Sequence, residues 1–361
     1  IRDVSLPAAG SYVVEAGTDA GVARVTWEVF ATGNGARAKN VILFIGDGMS
    51  MAHRTAARIV SKGLVEGRYS GELAIDDMPH MALVSTSGTD SLVTDSANSA
   101  AAYTTGHKSC VNALGVYCSR AKSNLGHPRV ETISELVKRQ RNMSIGDVTN
   151  TEIEDATPAS MVAHNRLRAD YNNIVKSFFA LQPEVILGGG TPNFLPQAAN
   201  GKRTDGEDYI KKFQEAGYTF VRTKTELAAA NGKATKLLGL FNDANIDGAL
   251  DRFFLKKGTV SKFPDQPDLT DQVRSALDIL SKNENGFVLM VESGRIDKYS
   301  HSLDWERAIY DTIMLDNAVK VAKEFAGTRN DTLIIVVADH AHAVSVVGTY
   351  NDDRAGDQLR E

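Results

Sequence analysis

Short apolar runs alternate with amphipathic segments along most of this chain. A continuous apolar run at residues 41–45 predicts a strand buried on both faces, as in a parallel sheet, because a strand with one wet face would alternate apolar and polar positions. A Gly-Asp-Gly turn and a helical segment over residues 50–63 follow it, and the same succession continues to Ala338. Repeated strand–helix units predict an α/β fold with a mostly parallel central sheet and helices on both faces.

The other predicted elements follow the same alternation. The strands lie at residues 81–87, 144–150, 184–187, 218–221, 236–241, 287–292 and 332–338. One helix begins at Ser96, and the others cover residues 131–141, 171–181, 207–216, 226–231, 271–283 and 304–325. The last helix has an apolar face made of Ile309, Ile313, Leu315, Ala318, Ala322 and Phe325. Asp147 lies inside a predicted strand, and because an unpaired buried carboxylate is costly, we expect it to be exposed or to have a partner.

Two segments depart from this alternation. Residues 1–38 alternate weakly between Gly-rich turns, which predicts a peripheral hairpin or the tail of a further N-terminal module. Residues 39–361 are predicted to form the α/β domain. Within it, residues 242–268 are rich in Asn, Asp, Lys and Pro, which predicts a loop-rich insertion.

Composition narrows the class of protein. The 361 residues allow two domains or one large α/β domain, and their net charge is -5. Such a charge gives no general attraction for nucleic acid or acidic membranes, so any affinity for phosphate must be local. No apolar run approaches the roughly 20 residues that a membrane-spanning helix needs. We therefore expect no nucleic-acid-specific binding and no transmembrane segment.

The two cysteines leave two interpretations open. Cys110 and Cys118 are close enough in sequence to close a small disulfide loop in an oxidising compartment. They could equally be two unrelated free thiols. A thiolate metal site is not expected, because neither cysteine belongs to a Cys-x-x-Cys pair or lies near a pair of histidines.

Ser96 is the first residue that suggests chemistry. It follows Asp95 and precedes a run of small residues over positions 97–102 that can form a closely packed helix. A helix N-terminus presents free N–H groups and partial positive charge, so a hydroxyl there could act as a nucleophile toward phosphate. An ordinary N-cap explains the segment equally well when it is taken alone.

Acidic residues follow three of the predicted buried strands. Asp47 comes after residues 41–45, Glu292 ends the strand at 287–292, and Asp339 follows residues 332–338. Further ligand types are close in sequence, namely Asp297, His301, His340 and His342. Each alone could be a helix cap or a surface group. If the three strands are neighbours, however, the side chains converge at one sheet edge, where mixed N/O ligands suit zinc and oxygen ligands suit magnesium.

Five co-linear motifs together resemble the alkaline phosphatase family, in its bacterial type. They are "VILFIGDGM", "VTDSANSAAAYTTG", "EDATPASMVAH", "VESGRIDKYSH" and "VVADHAHA", and they cover most of the chain. The resemblance implies an alkaline phosphatase-like fold and hydrolysis of small phosphate monoesters through a phosphoserine, with two zinc ions and one magnesium ion. It also implies a periplasmic or secreted location and a homodimer.

The resemblance assigns a role to each matching residue. Ser96 matches the nucleophile, and Asp47, Asp339 and His340 match the ligands of the zinc that activates it. Asp47 also matches a ligand shared with the magnesium ion.

A second set of residues matches the remaining metal ligands. Asp297 and His301 match ligands of the zinc that carries the attacking water, and His342 is expected to orient Asp297. Thr157 and Glu292 match magnesium ligands.

A third set matches the phosphate-binding side chains. Asp155 matches a residue that orients magnesium-bound water, and Lys298 one that reaches phosphate through water. Arg168 matches the arginine that clamps phosphate, a task suited to a planar guanidinium. Arg166 is the neighbouring arginine with which it could be confused, but the spacing from the preceding histidine favours Arg168.

The chain departs from the family at one metal ligand. The family supplies a third ligand to the water-carrying zinc from a histidine well after the "ADHAH" motif, and no histidine follows His342. We therefore expect the natural protein to continue beyond Glu361.

Two alternatives stay open. A phosphodiesterase or sulfatase could share the metal core, although the serine motif of sulfatases is absent here. The second alternative is a phosphate-binding homologue without catalytic activity.

Overall fold

The computed structural model describes residues 6, 8–19, 21–29 and 38–346 of the chain. The chain divides into two compact units, Ile1–Arg37 and Ala38–Glu361. In the first unit, strands β1 (Gly10–Thr18) and β2 (Gly21–Val29) form an antiparallel hairpin. The predicted hairpin is therefore present in this segment.

The second unit is organised around a sheet of seven strands that are all parallel to one another. Its strands are β3 (Asn40–Gly46), β6 (Ser144–Glu152), β7 (Val185–Gly189), β8 (Thr219–Val221), β9 (Leu237–Leu240), β10 (Phe287–Ser293) and β11 (Thr332–Ala338). Their order across the sheet is β11-β3-β10-β6-β7-β9-β8. A small antiparallel pair lies apart, β4 (Leu64–Val65) with β5 (Arg68–Tyr69).

Ten α-helices connect these strands in the described residues. They are α1 (Met51–Lys62), α2 (Ser96–Thr105), α3 (Ile133–Arg141), α4 (Ala156–Ala159), α5 (Tyr171–Leu181), α6 (Tyr209–Glu215), α7 (Lys224–Ala230), α8 (Leu269–Leu280), α9 (Arg295–His301) and α10 (Trp305–Ala326). No helix in this part of the chain combines the length and the apolar composition that crossing a bilayer requires.

Both faces of the sheet are covered at its central strands, as the continuous apolar strands predict, whereas Leu333 and Ile335 of the edge strand β11 are exposed. Alternate side chains of β10 enter different cores: Leu289 packs with helices α8 and α10, whereas Met290 packs with residues of α5 and α6. Leu315 of α10 is fully buried in the first core, which agrees with the apolar face predicted for that helix. This two-sided burial explains why the strands lack the polar alternation of a half-exposed sheet.

Three local predictions need correction or resolution. Residues 81–87 do not form a strand: Met81 is 89% exposed and Leu83 is 98% exposed, and no described strand pairs with the segment. Asp147 is fully buried and neither carboxylate oxygen has a hydrogen-bond partner in the described residues, so the expectation of exposure or a partner is wrong. Cys110 and Cys118 form a disulfide, which decides between the two interpretations.

The strand order brings the three predicted acidic strand ends together. β3 lies between β11 and β10, and Gly46 of β3 is opposite Ala338 of β11 and Ser293 of β10. The carboxyl ends of these strands therefore lie side by side at one sheet edge, where open α/β sheets place their binding sites.

Candidate active site

The turns after the neighbouring strands β3 and β11 each hold a buried carboxylate. Asp47 and Asp339 directly follow β3 and β11, and both are almost fully buried. Oδ1 of Asp339 accepts hydrogen bonds from the backbone N–H groups of Gly48 (3.0 Å) and His340 (2.8 Å). Gly48 has a φ of 67°, and a Cβ atom there would collide with the imidazole of His342. Glycine at this position therefore allows the two loops to approach.

Ser96 is the first residue of α2, whose start is fixed by Asp95. The side chain of Asp95 accepts from the backbone N–H of Asn98, and the Asn98 side chain accepts from the backbone N–H of Asp95. This reciprocal capping explains the local sequence. The buried Ser96 hydroxyl donates to Oδ1 of Asp47 at 3.3 Å and lies 3.3 Å from Nε2 of His340. Ser96 therefore combines a helix-start position with contacts to the acidic strand ends.

The described residues contain two groups of three side chains that could each hold a metal ion. One group is Asp47, Asp339 and His340, and the other is Asp297, His301 and His342; within each group the ligand atoms lie within 4.8 Å of one another. Mixed oxygen and nitrogen donors of this kind suit zinc. Oδ2 of Asp339 is buried without a hydrogen-bond partner, as expected for an oxygen that is arranged for a cation.

The carboxylates of the site are surrounded by more negative than positive side chains. Burial raises the pKa of Asp47 well above its usual value, and the nearby carboxylates Asp339, Asp297 and Glu292 raise it further. Burial likewise raises the pKa of Glu292 to about 7, although the Thr149 hydroxyl opposes the shift. A bound cation would oppose both shifts by stabilising the ionised carboxylates, so the acidic strand ends have the electrostatics of a metal site.

A third potential ligand position lies beside Glu292. Thr157 belongs to the short helix α4, which Asp155 caps by accepting from the backbone N–H of Ala156 at 2.7 Å. The hydroxyl of Thr157 is buried and lies close enough to Glu292 to oppose the upward shift of the pKa of that carboxyl. Hydroxyl and carboxylate oxygens are the ligand types that magnesium prefers.

Asp155 also anchors two cations. It accepts from Nη2 of Arg168 at 2.9 Å and lies 2.7 Å from Nζ of Lys298. Although burial alone would raise its pKa, these two cations bring the pKa of Asp155 below its usual range. Arg168 also reaches the carboxylate of Asp95, the residue before the candidate nucleophile, at 3.5 Å. Asp155 thus holds a guanidinium and an ammonium group together, and the guanidinium also contacts the residue before Ser96.

Arg166 has a different environment. Its guanidinium donates to the backbone carbonyl of Val111 at 2.9 Å. The structure therefore supports Arg168 as the arginine next to the site, in agreement with the spacing.

His342 contacts the other two members of the second ligand group, Asp297 and His301. Its Nε2 lies 2.6 Å from Oδ1 of Asp297, and its ring lies edge to face on His301 at 4.5 Å. His301 is 68% exposed, so this group is open to water on one side. The geometry allows His342 to orient Asp297, as predicted, or to serve as a ligand itself.

The structure also shows partners that the sequence did not indicate. His53 of α1 accepts from the backbone N–H of Ser50 through Nδ1 (3.1 Å), and its Nε2 lies 3.0 Å from the hydroxyl of Ser300 in α9. Burial lowers the pKa of His53 to about 4, so it is a neutral link between helices rather than a free base. Thr149 and Thr151 of β6 both contact Glu292. Nothing in their local sequence distinguishes these residues from ordinary polar positions.

Comparisons with known proteins agree with this geometry. The family model described as alkaline phosphatase matches residues 38–358. The chain is 35% identical to the alkaline phosphatase of Escherichia coli and 33% identical to that of Gadus morhua, in each case over 86% of this chain and 71% of the relative.

Solved structures give the same result. The Thermus thermophilus alkaline phosphatase superposes with a TM-score of 0.74 at 31% identity, over 86% of this chain and 61% of that chain. An alkaline phosphatase variant from TAB5 with Mg bound in its M3 site superposes with a TM-score of 0.70 at 26% identity, over 85% of this chain and 79% of that one. The chain thus spans somewhat over half to about four fifths of the relatives that it matches.

Proposed function

The chain belongs to the alkaline phosphatase family, and we propose on this premise that it hydrolyses phosphate monoesters to an alcohol and inorganic phosphate. One observation carries the proposal beyond the family assignment. The hydroxyl of Ser96 stands at a helix start between Asp47 and His340, within a group of side chains suited to a metal ion. That is the arrangement expected for a serine that attacks phosphorus.

We propose that three cations bind among the residues of the site. Asp47, Asp339 and His340 would hold one zinc ion, and Asp297 and His301 a second, with His342 orienting Asp297. Thr157, Glu292 and Asp47 would hold magnesium. When bound, the cations would supply Lewis acidity and the positive charge that the buried carboxylates lack.

The chain's own residues would bind and orient the substrate. Arg168, held by Asp155 and Asp95, would grip two equatorial oxygens of the phosphoryl group. Lys298 would add charge from the other side of Asp155, and the N–H groups at the start of α2 would face the same oxygens. Since these contacts reach only the phosphoryl group, we expect broad specificity for the alcohol.

Ser96 would carry the covalent step. Its oxygen forms a bond to phosphorus in line with the leaving alcohol, the ester P–O bond breaks, and the alcohol takes up a proton. Water then attacks the phosphoserine from the opposite side, which releases phosphate and restores the hydroxyl. Two in-line displacements give net retention of configuration at phosphorus.

Location and assembly are part of the same proposal. A disulfide between Cys110 and Cys118 supports a periplasmic or secreted protein, because disulfides persist in oxidising compartments. Membership of the family is the reason to expect a homodimer.

The test is hydrolysis of p-nitrophenyl phosphate at alkaline pH with zinc and magnesium, with and without chelator. We expect Ser96→Ala to lower kcat at least about 10³-fold, because the nucleophile is lost. Ser99→Ala is the matched control, since the buried Ser99 hydroxyl donates to the backbone carbonyl of Asp95 in the same helix.

The outcomes discriminate between mechanisms. Slow turnover with a stoichiometric phosphoserine on Ser96 would support the nucleophile and place the slow step in its hydrolysis. Equal activity of Ser96→Ala and Ser99→Ala, or full activity in chelator, would contradict the proposal.

A further inference from the structure

Two threonines behind the site converge on a single oxygen of Glu292. Thr149 and Thr151 are alternate residues of β6, so their side chains are on the same face of the strand. Thr149 lies opposite Glu292 in the pairing of β6 with β10. The Thr149 hydroxyl donates to Oε2 of Glu292, and the Thr151 hydroxyl donates to the same oxygen at 3.0 Å. We name Thr149 and Thr151 the threonine pair.

The threonine pair is also hydrogen-bonded within itself. Oγ1 of Thr149 accepts the backbone N–H of Thr151 at 2.9 Å, and the two Oγ1 atoms are 2.8 Å apart. The two hydroxyl oxygens and Oε2 of Glu292 thus form a closed hydrogen-bonded triangle. The pair therefore holds Oε2 in place, and Oε1 is the oxygen that it does not hold.

The surroundings make this arrangement specific. Thr149 is 0% exposed and Thr151 is 1% exposed, so water does not compete for their hydroxyls. Asn150, the residue between them, makes its contacts with Ser293 and Asp311. Two fully buried hydroxyls near the end of this strand would be unfavourable without such an acceptor.

We propose that the threonine pair positions Glu292 for the third cation, so that Oε1 meets magnesium in a fixed direction. Magnesium requires nearly ideal octahedral geometry, and a carboxylate free to rotate would lose that preorganisation on binding. The inference rests on the proposed function, because it assumes that Glu292 and Thr157 contribute to a magnesium site. Thr149 and Thr151 act through Glu292 and do not touch the substrate.

The test measures magnesium binding directly, by calorimetric titration of Mg²⁺ into the zinc-loaded protein. Thr149→Val and Thr151→Val keep the shape and remove the hydroxyl. We expect each to weaken Mg²⁺ binding by about 10- to 100-fold, the usual cost of losing a partner of a metal ligand. Zinc content should stay within about twofold of the wild type, and Thr149→Ser and Thr151→Ser should restore Mg²⁺ affinity.

Thr312→Val is the matched control, because among the described residues the fully buried Thr312 hydroxyl donates only to the backbone carbonyl of Ala308, at 2.9 Å. Wild-type Mg²⁺ affinity in both valine variants of the threonine pair would overturn the inference. Parallel loss of zinc and magnesium would also overturn it, since that result indicates a general structural role. A wild-type protein that binds zinc but no Mg²⁺ would instead contradict the magnesium site of the proposed function.

Discussion

Two groups of buried charged side chains belong to the candidate site, and the pKa of Asp47 in one is shifted in the opposite direction from the pKa of Asp155 in the other. The acidic group consists of Asp47, Glu292, Asp297 and Asp339, and the ion-paired group consists of Asp155, Arg168 and Lys298. Burial raises the pKa of both Asp47 and Asp155. Further carboxylates add to that shift at Asp47, whereas two cations reverse it at Asp155.

The chain itself supplies enough positive charge to neutralise Asp155, whereas the acidic group needs further positive charge from a ligand. The chain neutralises Asp155 with its own side chains, so the ion-paired group is stable as it stands. At Asp47 the repulsion from the neighbouring carboxylates exceeds the attraction of Lys298, and this repulsion is relieved when a cation binds. Repulsion among these carboxylates should destabilise the metal-free protein, and such a cost is expected of a site that is arranged to bind a metal ion.

The largest effect is expected from Asp47→Asn, which breaks the acidic group at its centre. Asp47 contacts Ser96 and belongs to the first ligand group, so we expect zinc to be lost and activity to fall at least about 10³-fold. The metal-free protein should become more stable at pH 8, because the substitution removes one of several repelling carboxylates. Metal analysis, p-nitrophenyl phosphate hydrolysis and urea unfolding measure these effects.

Asp208→Asn provides the control for Asp47→Asn. Asp208 caps α6 away from the acidic group, and asparagine caps a helix equally well. Its activity and stability should be unchanged. A less stable metal-free Asp47→Asn protein would contradict the view that the acidic group is under repulsion.

Asp155→Asn should have the opposite sign in the metal-free protein. It leaves Arg168 and Lys298 without their shared carboxylate, so we expect a loss of about 2 kcal/mol in the free energy of unfolding. Because the lowered pKa of Asp155 means that its stabilisation is present above the unfolded-state pKa, the loss should be full at neutral pH and shrink as acid protonates the wild-type carboxyl. Urea unfolding at pH 7 and pH 3 measures both. Equal stability of the two proteins at pH 7 would show that the ion pairs contribute nothing.

Much of the fold follows from pattern, because the parallel sheet is buried on both faces. The strand predicted at residues 41–45 and the helix predicted at 171–181 are present for that reason. The strand predicted at 81–87 is wrong. A strand needs a neighbouring strand to pair with, and the local sequence does not show whether one is present. Helix α9 was missed because its seven residues include Asp297, Lys298 and His301 and follow a strand almost without a gap.

The part of the site that lies within the five motifs could be predicted from the sequence. Every residue that the resemblance assigned lies in the described part of the chain, and their roles remain predictions. The contacts of Thr149 and His53 were not predictable, since they depend on which strands and helices become neighbours in space. Asp147 shows the same limit: its burial follows from the position of β6 inside the sheet, not from its own sequence context.

Asp147 differs from Asp47 and Asp155 because burial is the main cause of its pKa shift. We expect its substitution to have the smallest effect on stability. Burial raises its pKa well above the usual value, with Glu292 adding to the shift, and the structure provides no cation or hydrogen-bond donor to either oxygen among the described residues. The folded state therefore binds a proton more tightly than the unfolded state. Stability from this group is full below the unfolded-state pKa and is lost as the pH rises toward the folded-state pKa.

Asp147→Asn keeps the shape and removes the ionisation. In metal-free protein we expect nearly wild-type stability at pH 4 and a gain on the order of 1 kcal/mol at pH 8, measured as the difference between urea unfolding curves of the two proteins. The asparagine amide is as poorly hydrogen-bonded as the protonated carboxyl, so the comparison at pH 4 controls for that cost. A constant difference at both pH values would show that Asp147 gains a partner when it ionises. It would then resemble Asp155 rather than the acidic group.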